Sequence, residues 1–176
     1  MSSGLPKLTL ILGGQRSGKS QLAERLIEDA AGGGVYIATA EAADGEMQAR
    51  IDAHRARRGA GWRTVEEPVD PLAAVLEHAG PNTPVLIDCL TLWLSNLMAA
   101  GRDVPAAVDA LAAGLGDSPG PVVIVSNEVG LGVIPMNAMA REFADHAGRA
   151  NQRLARAADR VLLSLAGLYI ALKDQR

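Results

Sequence analysis

The eight residues Gly13-Gly14-Gln15-Arg16-Ser17-Gly18-Lys19-Ser20 satisfy the spacing G-x-x-x-x-G-K-[ST] without a mismatch. Glycines at both ends of such a loop let the backbone curl until consecutive N–H groups converge on an anion, at the positive end of the helix that follows. Lys19 is then placed to reach the β- and γ-phosphates of a nucleotide, and the Ser20 hydroxyl to take one position on Mg²⁺. Leu8 to Leu12 before the loop reads as a buried strand and Gln21 to Asp29 after it as a helix, the strand-loop-helix setting that the motif requires. A glycine-rich turn before an ordinary helix needs neither that setting nor the lysine, and the chain has only Lys7 and Lys173 besides Lys19.

Two further stretches could do chemistry. Asp88 closes the apolar run Val85-Leu86-Ile87, where a phosphate-binding enzyme places the carboxylate that orients Mg²⁺ or its waters. The same position would suit an aspartate that caps a helix starting at Leu90. In Met47 to Arg58, a helical period of about 3.6 residues puts Met47, Ile51 and His54 on one face, and Arg50, His54 and Arg57 or Arg58 on the adjoining one. Cations beside an imidazole keep it neutral near neutral pH, and a neutral imidazole nitrogen can attack phosphorus to form a phosphoramidate, splitting a nucleotidyl transfer into two steps. A solvated, arginine-rich helix end is the ordinary account of this spacing, which does not by itself single out His54. His78 and His146 have no comparable basic surround and read as structural or surface residues.

The elements that must position these groups follow from the hydrophobic pattern. Val35 to Thr39 reads as a second strand, Gly45 to Arg58 as a helix opened by Asp44, Trp62 to Glu66 as a short extended segment and Pro71 to Ala79 as a helix. Val85 to Asp88 reads as a buried strand, followed by helices at Leu90 to Ala99 and Val104 to Leu115. Val122 to Ser126 is continuous and β-branched enough for the centre of a parallel sheet. A loop holding Gly130, Gly132 and Pro135 leads into a long helix from about Asn137 to Ala158, and Val161 to Leu172 reads as two strands joined at Ala166-Gly167. Strands alternating with helices predict an α/β fold, a mostly parallel sheet covered by helices on both faces, with ligands at the carboxyl ends of the strands. The phosphate loop, Thr39, Asp88 and Asn127 all fall at such ends.

Composition narrows the partners. At 176 residues with no Pro/Gly/Ser linker or charge block, the chain is expected to form one domain from residue 8 to 176 behind a short mobile leader of residues 1–7. The formal net charge is −3, and two tryptophans, two tyrosines and one phenylalanine leave few stacking rings, which argues against a nucleic-acid groove. Cys89 is alone, excluding an intrachain disulfide and fitting a reducing cytoplasm; the leader lacks the apolar stretch of a signal peptide. The longest apolar tract, Val161 to Leu172, is too short to span a membrane.

Taken together, these residues resemble the bifunctional cobinamide kinase/cobinamide-phosphate guanylyltransferase family over nearly the whole chain. The resemblance rests on the loop at 13–20, Tyr-Ile-Ala-Thr-Ala at 36–40, Glu46-Met47 with Arg50-Ile51 and His54-Arg55, and Trp62-Arg63-Thr64-Val65-Glu66. It continues through Ser126-Asn127-Glu128-Val129-Gly130, Gly132-Val133-Ile134-Pro135 and Gly148-Arg149-Ala150-Asn151-Gln152. It implies a RecA-like sheet, a homotrimer and two reactions: phosphorylation of adenosylcobinamide by ATP or GTP, then transfer of GMP from GTP to adenosylcobinamide phosphate. The family's guanylylated histidine falls on His54, and Lys19 serves catalysis beside it. Its nucleotide contacts fall on Gly13, Gly14, Gln15, Arg16, Ser17, Gly18, Lys19 and Ser20, on Ala38, Thr39 and Ala40, on Arg55, Ala56, Arg57 and Arg58, and on Glu66 and Asp88; Ser20 and Asp88 are its metal positions.

Two other readings of the motifs remain in view. A simple small-molecule kinase would use the arginine-rich helix only as a lid and form no covalent nucleotide, and an assembly module would use the loop to regulate oligomerisation. A signalling GTPase is disfavoured, because no Asp-x-x-Gly follows the Asp88 strand and no Asn-Lys-x-Asp occurs.

Overall fold

The computed structural model describes residues 4–40 and 58–174. Among them the chain runs β1 (Leu8–Gly13), α1 (Lys19–Ala31), β2 (Gly34–Ala38), β3 (Trp62–Glu66), α2 (Pro71–His78), β4 (Val85–Asp88), α3 (Leu90–Ala99), α4 (Val104–Gly114), β5 (Val122–Asn127), α5 (Ala138–Ala157), β6 (Arg160–Leu165) and β7 (Leu168–Asp174). The expected helix from Gly45 falls on residues outside the described ones, except for Arg58 at its end. The strands join in the order β3-β2-β4-β5-β1-β6-β7, all parallel except β7, which returns antiparallel to β6.

Alternation along the strands explains the two layers. Leu10, Ile37, Ile87 and Ile124 face a core shared with Val75 of α2, Leu94 of α3, Leu111 of α4 and Leu154 of α5. Their neighbours Ile11, Tyr36, Leu86 and Val123 face the opposite way, onto Leu22, Ala23 and Ile27 of α1. With both faces covered, β1, β4 and β5 have no solvent side, so their sequences are nearly continuous apolar runs.

Element boundaries follow local chemistry. α1 begins at Lys19, two residues earlier than its apolar pattern suggests, because Gly18 (φ 98°) turns the loop directly into the first helical residue. α2 and α4 start with Asp70 and Asp103 side chains accepting from the third residue onward, Ala73 and Ala106, and each has proline in its first turn. α5 is capped by Asn137, whose side chain accepts from Met139 and Ala140 N–H. The last two strands turn through Ala166 (φ 52°) and Gly167 (φ 79°), the two left-handed residues that a tight hairpin needs. Ahead of β1, Leu5 packs beside the α1 core and the Lys7 carbonyl accepts from Val122 N–H at 2.8 Å, so contacts with the sheet already begin in the expected leader.

Strand register levels the carboxyl ends. Gly13 of β1 lies opposite Asn127 of β5, Asp88 of β4 opposite Val125, and Ala38 of β2 opposite both Asp88 and Glu66 of β3. A belt of buried polar side chains ties these ends together. Thr39 Oγ1 donates to the Cys89 carbonyl at 2.7 Å and accepts from Cys89 N–H at 2.9 Å, while Asn96 Nδ2 donates to the Thr39 and Pro68 carbonyls. On the other side Ser126 Oγ donates to Asn151 Oδ1 at 2.6 Å, Asn151 Nδ2 donates to the Asn127 carbonyl, and Asn127 Nδ2 donates to Thr91 Oγ1 at 2.7 Å. Such groups are costly to bury unless every member finds a partner. Asn151→Leu would strand the Ser126 hydroxyl and the Asn127 carbonyl. We expect a stability loss of about 1–3 kcal/mol in urea denaturation, with an unchanged dependence on urea concentration.

Candidate active site

The phosphate loop is held in its curl by its own backbone and by the far end of the chain. Ser17 N–H donates to the Gly14 carbonyl at 3.3 Å, and Arg16 takes a left-handed conformation (φ 56°). Ser164 Oγ and Gly167 N–H both donate to the Ser17 carbonyl, at 2.8 Å and 3.0 Å. Gly13 must be glycine for a packing reason: a Cβ there would lie 2.3 Å from the Ser164 carbonyl oxygen.

Lys19 is buried at 6% exposure, and its Nζ donates to the Gly14 carbonyl and lies 3.4 Å from Ser17 Oγ. Burial lowers its pKa from the ordinary lysine value, against the opposing pull of Cys89 and Asp88. A buried ammonium whose partners are neutral oxygens is a site for an anion. Lys19 opens on a cavity of about 430 Å³ lined by Gln15 through Gln21, Asp88, Cys89, Val125 and Asn127.

Asp88 sits in this cavity and does not cap the following helix: the residue at the α3 N-cap is Cys89, with no side-chain cap bond. Asp88 Oδ2 instead accepts from the Tyr36 hydroxyl at 2.9 Å. Burial and the adjacent Asp88 carboxylate raise the phenol pKa, so Tyr36 stays a neutral donor. Across its ring lies the Arg58 guanidinium, 3.6 Å from the centroid, which also donates to Thr64 Oγ1 at 3.2 Å and lies 3.9 Å from Glu24 Oε1. Trp62 meets the same ring edge-on and donates its Nε1–H to Glu28 Oε1 at 2.8 Å. Burial pushes the neighbouring Cys89 thiol up to about 11, leaving it a neutral part of the wall.

Of the positions singled out in the sequence, Gln15, Arg16, Ser17, Gly18, Lys19, Ser20 and Asp88 line this one cavity, while Gly13 ends β1 and Gly14 follows it, outside the lining. Ala38, Thr39 and Ala40 lie at the end of β2, where the Thr39 N–H, carbonyl and hydroxyl are all engaged within the protein. Glu66 ends β3, exposed, on the edge of the sheet. Arg58 is committed to the Tyr36 ring with its side chain 4% exposed. His54, Arg55, Ala56 and Arg57 lie outside the described residues. Sequence reasoning missed Tyr36, Ser164 and Gly167 as parts of the site; the pairing of strands distant in sequence places them there, and no local spacing signals it.

Ser20 and Asp88 fit a hard cation shared with phosphate. Among the described residues no cluster of three or more His, Cys, Asp or Glu side chains could cage a metal. One hydroxyl and one carboxylate on a phosphate cavity is a donor set that leaves the other positions to phosphate oxygens and water, as Mg²⁺ prefers.

Comparison with known proteins agrees with this geometry. The family described as Cobinamide kinase / cobinamide phosphate guanyltransferase matches residues 9–172. The chain is 48% identical to the bifunctional adenosylcobalamin biosynthesis protein CobP of Pseudomonas aeruginosa, over 94% of this chain and 97% of that one. It is 40% identical to the bifunctional adenosylcobalamin biosynthesis protein CobU of Salmonella typhimurium, over 94% and 99% of the two chains. Among solved structures it resembles the flagellar accessory protein FlaH of Methanocaldococcus jannaschii (TM-score 0.54, 12% identity, 97% of this chain and 80% of that one). It also resembles the KaiC-like protein PH0186 of Pyrococcus horikoshii (TM-score 0.55, 14% identity, 90% and 71%). At such identities the likeness is of fold alone, a RecA-like P-loop architecture.

Tyr36→Phe keeps the ring beneath Arg58 and removes the hydrogen bond to Asp88. The gain in nucleoside triphosphate affinity on adding Mg²⁺ is expected to fall about tenfold, while affinity without Mg²⁺ stays within about twofold of the parent, measured by paired titrations.

Proposed function

The chain belongs to the cobinamide kinase / cobinamide phosphate guanyltransferase family, and from that membership we propose how its single phosphate cavity serves two reactions. It is a bifunctional enzyme of cobalamin biosynthesis, an adenosylcobinamide kinase and an adenosylcobinamide-phosphate guanylyltransferase. The observation that carries the mechanism is that Lys19, Ser20 and Asp88 open on the same cavity.

In the kinase reaction ATP or GTP lays its phosphates along the loop amides, and Lys19 draws charge from the β- and γ-phosphates. The hydroxyl of the aminopropanol arm of adenosylcobinamide attacks the γ-phosphorus, the bond to the β,γ-bridging oxygen breaks, and the nucleoside diphosphate leaves. Ser20 and Asp88 would hold Mg²⁺, which when bound would offset negative charge on the phosphates. In the second reaction a neutral ring nitrogen of His54 attacks the α-phosphorus of GTP. A nitrogen–phosphorus bond forms, the bond to the α,β-bridging oxygen breaks, and pyrophosphate departs. An oxygen of adenosylcobinamide phosphate then displaces His54, giving adenosyl-GDP-cobinamide and restoring the imidazole. Support for His54 is its place in the family's Arg-Ile-x-x-His element and the arginines 55 and 57 close to it in sequence.

Glu66 selects the base in this reading. Its carboxylate can accept from the guanine N1–H and exocyclic amine, a donor pair that adenine does not present. The assembly is a homotrimer in the cytoplasm. A three-fold ring closes head to tail and needs two different patches on each copy. Two exposed apolar patches are present: Leu131, Val133, Ile134 and Met136 after β5, and Leu168, Ile170 and Leu172 on β7. No described helix is long and apolar enough to cross a membrane.

Incubation with GTP labelled at the α-phosphate tests the covalent step. Acid-labile, alkali-stable label is expected on the protein and is expected to vanish in His54→Ala, while phosphorylation of adenosylcobinamide persists. An intact enzyme that turns over both substrates yet never takes up label would remove the intermediate. For the base, Glu66→Gln is expected to cost guanylylation about tenfold or more and to narrow the preference for GTP over ATP. Unchanged competition between the two nucleotides would remove that role.

A further inference from the structure

The hairpin β6–β7 touches the phosphate loop at one peptide group, and the geometry of that contact has a chemical consequence. The Ser17 carbonyl accepts two hydrogen bonds from the hairpin, one from Ser164 Oγ and one from Gly167 N–H. Ser164 is 2% exposed, and its hydroxyl is directed by the pairing of β6 with β1, which sets Ser164 opposite Gly13. Gly167 is the second residue of the tight turn, and its backbone lies against Gly18, where an added Cβ would sit 3.4 Å from the Gly167 Cα.

The Ser17–Gly18 peptide is trans, because the only cis bond among the described residues joins Asp88 to Cys89. In a planar trans peptide the C=O and the following N–H point in opposite directions. Two donors that hold the Ser17 carbonyl toward the hairpin therefore hold the Gly18 N–H away from it. Gly18 lines the cavity on that other side, and among the described residues its N–H has no hydrogen-bond acceptor. The peptide is thus locked with its donor presented to the cavity. Rotating it would bring a carbonyl oxygen into a space built for anions and leave the buried Ser164 hydroxyl, with the Gly167 N–H, without its acceptor.

We propose that Ser164, with Gly167 N–H, is the positioning residue of the phosphate site: clamping the Ser17 carbonyl aims the Gly18 amide at the bound phosphate chain. This rests on the reading of the cavity as the nucleotide phosphate site. It adds the C-terminal hairpin, far from the motif in sequence, to the machinery that sets phosphate affinity. The effect belongs to the phosphates and not to the base, so it is equal for GTP, ATP and inorganic pyrophosphate.

The test uses the full chain, inorganic pyrophosphate and GTP in Mg²⁺-free buffer, and a ¹H–¹⁵N spectrum in which the Gly18 amide is assigned. In the parent, pyrophosphate is expected to move the Gly18 cross-peak strongly. In Ser164→Ala, affinity for pyrophosphate and for GTP is expected to fall by the same factor, about threefold to tenfold, and the displacement of the Gly18 cross-peak at saturation to shrink. Ser164→Cys, close in size and a weak donor, is expected to reproduce both changes if the alanine variant is too unstable to titrate. Parent-like affinity in either folded variant would overturn the proposal, and so would a loss of affinity with an unchanged Gly18 displacement. A parent protein that binds neither pyrophosphate nor GTP would overturn the phosphate-site reading itself, which separates the two failures.

Discussion

Everything in this structure answers to one electrostatic demand: positive groups must be gathered, dry and unneutralised, around a space meant for phosphate. Lys19 is nearly inaccessible to water and its pKa is lowered by that burial. The loop adds left-handed residues at Arg16 and Gly18, and the start of α1 adds the positive end of its dipole. None of these features stabilises the empty fold. A site preorganised for an anion repays its cost only when the anion arrives, so the rest of the molecule must hold it open.

The holding is done by hydrogen bonds between elements that are remote in sequence. The belt from Asn96 through Thr39 and Cys89, and from Asn151 through Asn127 to Thr91, keeps the ends of β2, β4 and β5 level. On one flank of the loop the β6–β7 hairpin fixes the Ser17 carbonyl, and beyond Asp88 the Tyr36 hydroxyl fixes the carboxylate. Tyr36 in turn supports Arg58 on its ring, so a residue shortly before β3 rests on the same side chain that orients the Asp88 carboxylate. Fully satisfied networks of this kind rigidify a site, because moving one member leaves another unpaired in low dielectric.

How much of this could be read in the sequence follows from the range of the interactions involved. The phosphate loop, the strand that ends at Asp88 and the turn at Ala166-Gly167 were legible because each is written in neighbouring residues: a fixed spacing, a run of apolar side chains, a small residue with positive φ. Asp88 as a possible helix cap was a local alternative, and β-strand pairing decides it, since Tyr36 comes within reach only when β2 lies beside β4. Ser164 reads as an ordinary polar interruption of an apolar tract until β6 is paired with β1. Arg58 reads as one more surface cation of a basic stretch until the Tyr36 ring is placed beneath it. What escaped was register between strands that are far apart along the chain, which no local period encodes.

In the proposed mechanism one cavity serves two different group transfers. In the kinase step the leaving group is a nucleoside diphosphate, and in the guanylylation step it is pyrophosphate. The bond that breaks lies on opposite sides of the β-phosphate in the two cases, yet in both the departing oxygen is one that the β-phosphorus carries. Negative charge therefore develops on the β-phosphate whichever neighbour is attacked. A loop of amides and a buried lysine centred there stabilise both transition states without being rebuilt between them. What must differ is the direction of the nucleophile, an alcohol approaching the γ-phosphorus or an imidazole approaching the α-phosphorus. The proposed nucleophile, His54, falls in sequence between β2 and β3. On that proposal, separating the fixed grip from the changeable attack lets a single phosphate loop carry a kinase and a nucleotidyltransferase on one sheet.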